Sequence, residues 1–161
     1  MNDIPDLLER FRRGSELIAA ITTGAAGSEL DFVPAPGKWS IRQIIAHVAD
    51  TELVMAQRFR QIAAEENPTI VAFDQEAWAR GLDYARRKPA ASLDTFRRLR
   101  AENHELLKGL PETAFARTGN HTARGTVVLQ FLVELAANHS EKHAQQIQGV
   151  REQFKRSRAG A

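Results

Sequence analysis

The stretch Ala136-Ala137-Asn138-His139-Ser140-Glu141-Lys142-His143-Ala144-Gln145-Gln146-Ile147 places two histidines four residues apart. On a helix this spacing brings their Cβ atoms to about 5–6 Å, so that both imidazoles could reach one metal ion. The apolar residues on either side recur at helical spacing and form a stripe of Val128, Leu132, Leu135, Ala136, Ile147, Val150 and Phe154. His139 and His143 fall within this stripe, which predicts that they point into the protein.

The histidine pair alone leaves two interpretations open. Histidines at the edge of a core are often hydrogen-bonded to neighbouring groups without binding any ligand. A metal site would need a third ligand, and the 5 histidines of the chain leave His47, His104 and His121 as candidates.

Composition predicts one domain with little net charge. A chain of 161 residues, 43% of them apolar, can bury one substantial core, which we assign to residues 1–155, with a flexible tail at 156–161. The 22 Lys and Arg and the 20 Asp and Glu are interspersed, which disfavours nucleic-acid binding. The start of the chain does not resemble a signal peptide, and no apolar run approaches the roughly 18 residues of a membrane span. We therefore expect a soluble cytoplasmic protein without a membrane partner.

The first part of the chain predicts two helices separated by a loop. Apolar residues at helical spacing indicate a first helix from about Asp3 to Thr23. Residues 32–39 contain two prolines and a glycine and cannot continue a helix. Ser40 and Gln43 have the spacing of a capping box and begin a long second helix. Its buried stripe consists of Ile41, Ile44, Ile45, Val48, Met55, Phe59 and Ile62.

Two polar residues of the second helix have informative positions. His47 lies about a third of a turn from the centre of the stripe, so it would face a cleft beside the core that could admit a substrate. Glu52 lies nearer the centre, where an unpaired carboxylate would be costly. We therefore expect Glu52 to be paired, hydrogen-bonded or at the open end of the helix.

A long connection follows, from roughly Asn67 to Ala91, and connections of this length are often functional lids or walls. Asp74 and Gly81 predict the start and the end of a short helix within it. Trp78 and Tyr84 either line a pocket or pack the connection onto the bundle, which is the commoner role of large aromatic side chains.

Two more helices are predicted after the connection. Ser92 is the expected cap of a third helix, Leu93 to Leu110, and a fourth runs from Thr126 or Val127 to about Phe154. His104 lies at the edge of the apolar face of the third helix, where a solvated histidine is the default. His121 lies in a loop, where a surface role is the simpler interpretation, although this loop could border the site.

Four amphipathic helices, without convincing period-two alternation or an internal repeat, predict an all-α four-helix bundle. The long link between the second and third helices permits a crossover, so we expect an up-down-down-up order, which periodicity by itself does not decide. Bundle cores are natural places for metal ligands from facing helices.

Two segments carry a resemblance to a known family. They are Lys38-Trp39-Ser40-Ile41-Arg42-Gln43-Ile44-Ile45-Ala46-His47-Val48-Ala49-Asp50-Thr51-Glu52 and Asn138-His139 through His143-Ala144-Gln145-Gln146-Ile147. Together they resemble the DinB-like (YfiT-like) superfamily, and Asn67-Pro68 and Asp74-Gln75-Glu76-Ala77-Trp78 extend the likeness over nearly the whole chain. The resemblance implies a four-helix bundle, commonly a homodimer, whose divalent metal is held by His47, His139 and His143.

The resemblance also implies a range of activities on small-molecule substrates. Relatives with assigned reactions include bacillithiol- and mycothiol-dependent S-transferases and a mycothiol-dependent isomerase, some with Glu at the first position of the helix-four pair. That position is His139 here, so the isomerase pattern is not matched.

Three neutral imidazoles would leave a bound ion its full charge and an open position, as in catalytic sites. Such an ion lowers the pKa of a bound thiol or water towards neutrality. The chain has no cysteine, so any thiol must be a separate low-molecular-weight cosubstrate. Our leading hypothesis is thiol transfer to a small electrophile, with metal-dependent hydrolysis second. Zinc or nickel suits these ligands best, and iron and manganese remain open.

A non-catalytic function is the third hypothesis. In it, the protein is a stress-associated metal-binding or dimerising bundle whose ion merely ties the second helix to the fourth. The sequence places no general base securely, and Asp50 is only a candidate hydrogen-bond partner for a ligating histidine.

Overall fold

The computed structural model describes residues 3–160 and confirms the predicted all-α four-helix bundle. Its helices, in chain order, are α1 (Ile4–Thr22), α2 (Ser28–Asp31), α3 (Ile41–Ala64), α4 (Gln75–Gly81), α5 (Pro89–Lys108) and α6 (Leu129–Ala159). Short 3₁₀ turns cover Tyr84–Arg86 and Glu112–Ala116. The four long helices, α1, α3, α5 and α6, make the bundle. None of the helices within residues 3–160 has the length and apolar character needed to cross a membrane.

Ion pairs and hydrogen bonds between α1 and α6 give their relative direction. Arg10, in the first half of α1, pairs with Glu141 in the first half of α6 at 2.6 Å. At the other end of α1, the carbonyl groups of Ile21 and Thr23 accept hydrogen bonds from Arg151, in the second half of α6. The two helices therefore run parallel, although they lie at opposite ends of the chain.

The helices α3 and α5 also run parallel. Arg42, at the start of α3, donates a hydrogen bond to the carbonyl of Arg87, which lies just before α5. Towards the end of α3, Arg60 pairs with Glu102, in the second half of α5, at 3.0 Å. Consecutive parallel helices need a crossover, and the connection between residues 65 and 88 supplies it.

The helix α3 runs antiparallel to α6. Ile41, at the start of α3, belongs to the same core cluster as Val150, which lies in the second half of α6. Phe59, near the other end of α3, belongs to the same cluster as Leu132, near the start of α6. With α1 parallel to α6 and α5 parallel to α3, the order is up-down-down-up, as expected from the long link.

Two of the predicted helix caps are confirmed. The Ser40 side chain accepts a hydrogen bond from the Gln43 backbone, and the Gln43 side chain accepts one from the Ser40 backbone at 2.9 Å, which completes the capping box. The Asp74 side chain accepts hydrogen bonds from the backbone N–H groups of Glu76 and Ala77, both at 3.0 Å. Each cap satisfies backbone donors that the first helical turn leaves without partners.

Two other predicted helix starts are wrong. The helix α5 begins at Pro89, and Ser92 is a buried residue of its first turn, because a proline at the first helical position also suits a helix start. Thr126 lies in a strand, and α6 begins at Leu129. This helix continues past Phe154 to Ala159, so most of the segment predicted as a tail is helical. Residues 1, 2 and 161 of the predicted domain and tail lie outside the described residues.

A small sheet, which the sequence analysis missed, ties the long connection to the bundle. Its strands β1 (Thr69–Ile70), β2 (Thr118–His121) and β3 (Gly125–Val128) lie in that order, with β1 parallel and β3 antiparallel to β2. Strands of two to four residues offer too few positions for a period-two pattern to be recognised. The sheet brings His121 back towards the middle of the bundle.

One buried arginine joins all four long helices. Arg100, on α5, is 1% exposed and donates hydrogen bonds to the Phe11 carbonyl on α1 at 2.6 Å and to Ser140 Oγ on α6 at 3.0 Å. It also pairs with the Glu52 carboxylate on α3 at 2.7 Å, and Asn103 donates to the other oxygen of that carboxylate at 2.9 Å. The expectation that Glu52 is paired is therefore confirmed.

The close approach of α1 to this arginine requires a glycine. A Cβ atom on Gly14 would lie 2.5 Å from Nη1 of Arg100 and 2.8 Å from Cβ of Ser140. Both distances are shorter than van der Waals contact, so even an alanine would have to displace the network. Gly14 therefore lies inside a helix at a position where alanine, the better helix former, does not fit.

We expect Gly14→Ala to lower the free energy of unfolding by up to about 2 kcal/mol, because overpacking costs about 1–3 kcal/mol and the gain in helix propensity offsets about 1 kcal/mol of that cost. Gly149→Ala is the matched control in α6, where an added Cβ would meet nothing within 4 Å. It should raise the free energy of unfolding by about 0.5–1 kcal/mol. Urea denaturation measures both, and equal effects of the two substitutions would contradict the close packing at Gly14.

Candidate metal centre

Three histidine side chains meet between α3 and α6. His47 Nε2 lies 2.9 Å from His139 Nε2, and His143 Nε2 lies 3.0 Å from the same atom. One ring nitrogen of each residue lies within 4.8 Å of the other two. His47 and His143 are buried, and His139 is partly exposed. The structure thus brings together the three residues that the sequence and the family resemblance select.

The local backbone explains why the three rings meet. His47 lies about two helical turns after the Ser40 cap, and His139 and His143 lie about one turn apart in the middle of α6. Because α3 and α6 pack against each other, the pair on α6 faces the single ring on α3. The Trp39 ring packs on His47, with their centroids 4.8 Å apart, and covers it from the loop before α3.

Two of the rings have polar partners at Nδ1. Gln146 Oε1 lies 2.7 Å from His143 Nδ1 and accepts its proton, which leaves a lone pair on Nε2. Thr51 Oγ1 lies 3.5 Å from His47 Nδ1, and its hydroxyl can either donate to or accept from that nitrogen. The Gln146 contact therefore orients the unprotonated Nε2 of His143 towards His139, and the ring of His47 points its own Nε2 at the same atom.

This arrangement fits a divalent cation better than a hydrogen-bonded trio of rings. His139 Nε2 faces the Nε2 atoms of both His47 and His143. If His139 Nε2 carried a proton, it could donate a hydrogen bond to only one of these two atoms. A cation among three lone pairs would satisfy all of them. Zinc–nitrogen distances of about 2.0–2.1 Å in a tetrahedral site place neighbouring ligand nitrogens about 3.3 Å apart, a few tenths of an ångström more than the observed 2.9 and 3.0 Å. Three protein ligands would also leave a coordination position open.

Burial keeps the three imidazoles neutral. It lowers the pKa of His47 to about 3 and the pKa of His139 to about 2, and the neighbouring rings lower both further. Burial also lowers the pKa of His143, opposed in part by its hydrogen bond with Gln146. Because metal ions bind the neutral form of imidazole, the site is in its binding-competent form at neutral pH.

The Asp50 side chain has partners other than the histidines. It accepts a hydrogen bond from the Tyr84 hydroxyl at 2.8 Å and pairs with Arg87 at 3.2 Å. Asp50 therefore braces the connection against α3, instead of orienting a ring of the cluster. Tyr84 is fully buried, and it forms an apolar cluster with Ala46 of α3 against which Trp78 packs, so both aromatic residues pack the connection onto the bundle.

A cavity of about 280 Å³ opens beside the cluster, with His47 and His139 in its wall. Its apolar lining includes Met55, Phe73 and Leu135. Among the described residues that line it there is no aspartate or glutamate. The cavity is slightly smaller than the usual pockets for drug-sized ligands, so it has room for a small molecule only.

His121 is buried in the wall of this cavity, so the expectation of a surface role is wrong. The alternative prediction, that the loop of His121 borders the site, is confirmed. Its Nδ1 accepts a hydrogen bond from the Ala123 backbone at 3.1 Å, which puts the proton of the neutral ring on Nε2. Burial lowers the pKa of His121, and the charges of Arg58 and Arg124 lower it further. His121 is therefore a neutral hydrogen-bond donor at neutral pH.

The sequence analysis missed Arg58, Gln75 and Arg124, which also line the cavity. The sequence did contain one signal for Arg58, because this arginine lies one position before Phe59, a residue of the buried apolar stripe. His104 lies outside the cluster, with Nδ1 3.4 Å from the Glu105 carboxylate.

Comparison with known proteins gives several similarities. The family model of the DinB superfamily matches residues 10–147. A Bacillus subtilis protein named "Putative metal-dependent hydrolase YfiT" is 30% identical over 117 residues, which cover 72% of this chain and 66% of that protein. A Bacillus mycoides protein with the same descriptive name is 30% identical over 126 residues, covering 78% of this chain and 72% of that protein.

The similarity to solved structures concerns the fold. The structure of YfiT from Bacillus subtilis, described as having an unusual four-helix bundle topology, matches with a TM-score of 0.87 at 24% identity. The match covers 94% of this chain and 87% of that chain. Among the curated relatives, the matched part spans 46% of one from Oceanobacillus iheyensis and 66% of YfiT, so the chain covers less than two thirds of their lengths.

We expect the metal-free protein to lose stability as the pH falls below about 6.5. The unfolded chain binds protons on these histidines near pH 6.5, whereas the folded chain binds them only at much lower pH, so acid favours unfolding. His47 and His139 should each lower the free energy of unfolding by about 1.5 kcal/mol between pH 6.5 and pH 5. Urea denaturation of chelator-treated protein measures this loss. It should be smaller for His47→Gln, and an unchanged loss would contradict the neutral cluster.

Proposed function

The chain belongs to the DinB superfamily, and on that premise we propose that it is a divalent-metal-dependent enzyme acting on a small molecule. The observation that carries this proposal is the convergence of three neutral imidazoles at one point beside a cavity. We assign His47, His139 and His143 as the metal ligands. Zinc or nickel is the best match for an all-imidazole set, ahead of iron and of manganese, which prefers oxygen ligands.

We propose thiol transfer as the reaction. A bound divalent ion lowers the pKa of a coordinated thiol or water and so supplies a nucleophile at neutral pH. In the transfer, the sulfur of a low-molecular-weight thiol forms a bond to a carbon of a small electrophile, the leaving group departs with the bonding electrons, and the thiol proton goes to solvent. The thiol comes from outside because the chain has no cysteine.

The composition of the cavity wall supports a thiol over water as the nucleophile. Attack by water generally gains from a positioned general base. No carboxylate lies among the described lining residues, and His121 carries its proton on Nε2 and has its Nδ1 already bonded. Apart from the proposed metal ligands, the residues of the wall can therefore donate hydrogen bonds, but they include no carboxylate or unbonded imidazole nitrogen that could accept a proton from water.

Metal-dependent hydrolysis is the second candidate, and the names of the relatives favour it. A non-catalytic metal-binding bundle is the third, in which the ion only ties α3 to α6. The homodimer that the family resemblance implies is also a proposal, and sedimentation equilibrium of the purified protein tests it.

We expect purified protein to hold about one divalent ion per chain, and His47→Ala or His139→Ala to lose it, because three ligands are the minimum for such a site. His104→Ala is the matched control, since His104 lies outside the cluster. Elemental analysis after dialysis measures the content. An equal metal content in all of these variants would contradict the assignment of the ligands.

Activity and stability of His47→Ala separate the three candidates. A catalytic site predicts lost turnover with a modest change in melting temperature, whereas a structural ion predicts a large drop in melting temperature together with metal loss. A chromogenic alkylating electrophile with cysteine as the thiol reports transfer, and a p-nitrophenyl ester without thiol reports hydrolysis. Turnover of the ester alone would favour the hydrolase over the transferase.

A further inference from the structure

The cavity wall contains a buried arginine without a carboxylate partner. Arg58, on α3, is 7% exposed and lines the cavity together with His47 and His139. Of the five N–H groups that a guanidinium carries, one has a strong acceptor, the Val71 carbonyl at 2.9 Å. Nη1 reaches only the Met55 sulfur, at 3.8 Å, and the buried Nε has no partner in the described part of the chain.

Such an arrangement is costly for stability. The other buried arginine among residues 3–160, Arg100, also has an Nε without a partner, but its terminal nitrogens bond to a carboxylate, a carbonyl and a hydroxyl. Buried arginines are normally paired because an uncompensated charge in the interior destabilises the fold. Arg58 lacks an anionic partner among residues 3–160, and its side chain lies instead near the Phe73 ring, 5.9 Å from the centroid. A free guanidinium beside an open cavity is suited to a ligand that supplies the missing charge.

The neighbours of Arg58 increase the positive character of this wall. Burial lowers the pKa of Arg58, and the charge of Arg124, which lines the same cavity, lowers it further. His121 is neutral and has its Nε2 proton free to donate. With no carboxylate in the described lining, nothing within the wall neutralises the two guanidinium groups. The lining of the cavity therefore combines two histidines of the cluster, His47 and His139, with two guanidinium groups.

We propose that Arg58, assisted by Arg124, binds an oxyanion of the substrate, so that the enzyme acts on small acidic molecules, a specificity that rests on the proposed function. A planar guanidinium suits a carboxylate or a phosphate, which can accept two parallel hydrogen bonds. Anchoring the anion at this wall would hold the rest of a small substrate towards the histidine cluster. Because the cavity holds only about 280 Å³, the substrate is a small acid.

Binding of simple anions to the chelator-treated protein tests this inference without any contribution from a metal. The probes are propionate, methylphosphonate and neutral propionamide, followed through the backbone amide signals of Phe73 and Ala123, which line the cavity. We expect one or both anions to bind and propionamide not to bind, and the comparison of the two anions tells a carboxylate site from a phosphate site. The substitution Arg58→Met should raise the dissociation constant of the bound anion at least tenfold.

Arg60→Met is the matched control, because Arg60 lies on the same helix but pairs with Glu102 outside the cavity. It should leave anion affinity unchanged. We also expect the melting temperature of Arg58→Met to be equal to or higher than that of the parent, because the substitution removes an unpaired buried charge. Equal anion affinity of the parent and Arg58→Met, or binding of propionamide as tight as that of the anions, would overturn the inference. So would a large drop in melting temperature with no anion binding to the parent, which would make Arg58 a structural residue.

The metal analysis keeps this result separate from the proposed function. Anion binding that depends on Arg58, in a protein that never retains a divalent ion, would overturn the metal-dependent enzyme and support the oxyanion site. A protein that holds one ion per chain but does not discriminate anions from propionamide would overturn the oxyanion site and leave the metal centre supported.

Discussion

The buried ion pair between Arg100 and Glu52 sets the register of the bundle. It joins α5 to α3 at 2.7 Å, and the same guanidinium bonds to α1 and to Ser140 on α6. Breaking such a pair by removing one partner typically costs about 3–5 kcal/mol, so the helices cannot slide past one another without a large penalty. Ser140 directly follows His139, and Glu52 lies little more than one turn after His47. The interaction that fixes the helices therefore also fixes the distance between the imidazoles.

Two groups at the cavity lower stability instead of raising it. The histidine cluster buries three rings whose neutral form acid would protonate, and Arg58 buries a charge without an anionic partner in the described part of the chain. Proteins retain such costly groups mainly where they serve a ligand or a reaction. Both groups border the same cavity, whereas Arg100, which is ion-paired with Glu52, is not among its lining residues.

Sequence reasoning succeeded where a short-range pattern decides the structure. The Ser40 capping box and the pairing of Glu52 follow from spacing and from the cost of a buried charge, and the meeting of the histidines follows from helix periodicity plus the family resemblance. Sequence reasoning failed where contacts between distant parts of the chain determine the structure. Pro89 and Ser92 are both compatible with a helix start, and the burial of Ser92 in the first turn of α5 could not be read from local spacing. The three short strands carry no periodic signal, and Arg58 belongs to the cavity only because the sheet folds back over α3.

The central claim is that three imidazoles from two helices hold one divalent cation. Anomalous diffraction from crystals of the zinc-loaded protein, collected on both sides of the zinc edge, tests it most directly. The account predicts one anomalous peak about 2.0–2.1 Å from the Nε2 atoms of His47, His139 and His143, with a position open towards the cavity. A peak bound elsewhere, or rings that keep their mutual hydrogen bonds in the presence of excess zinc, would contradict it.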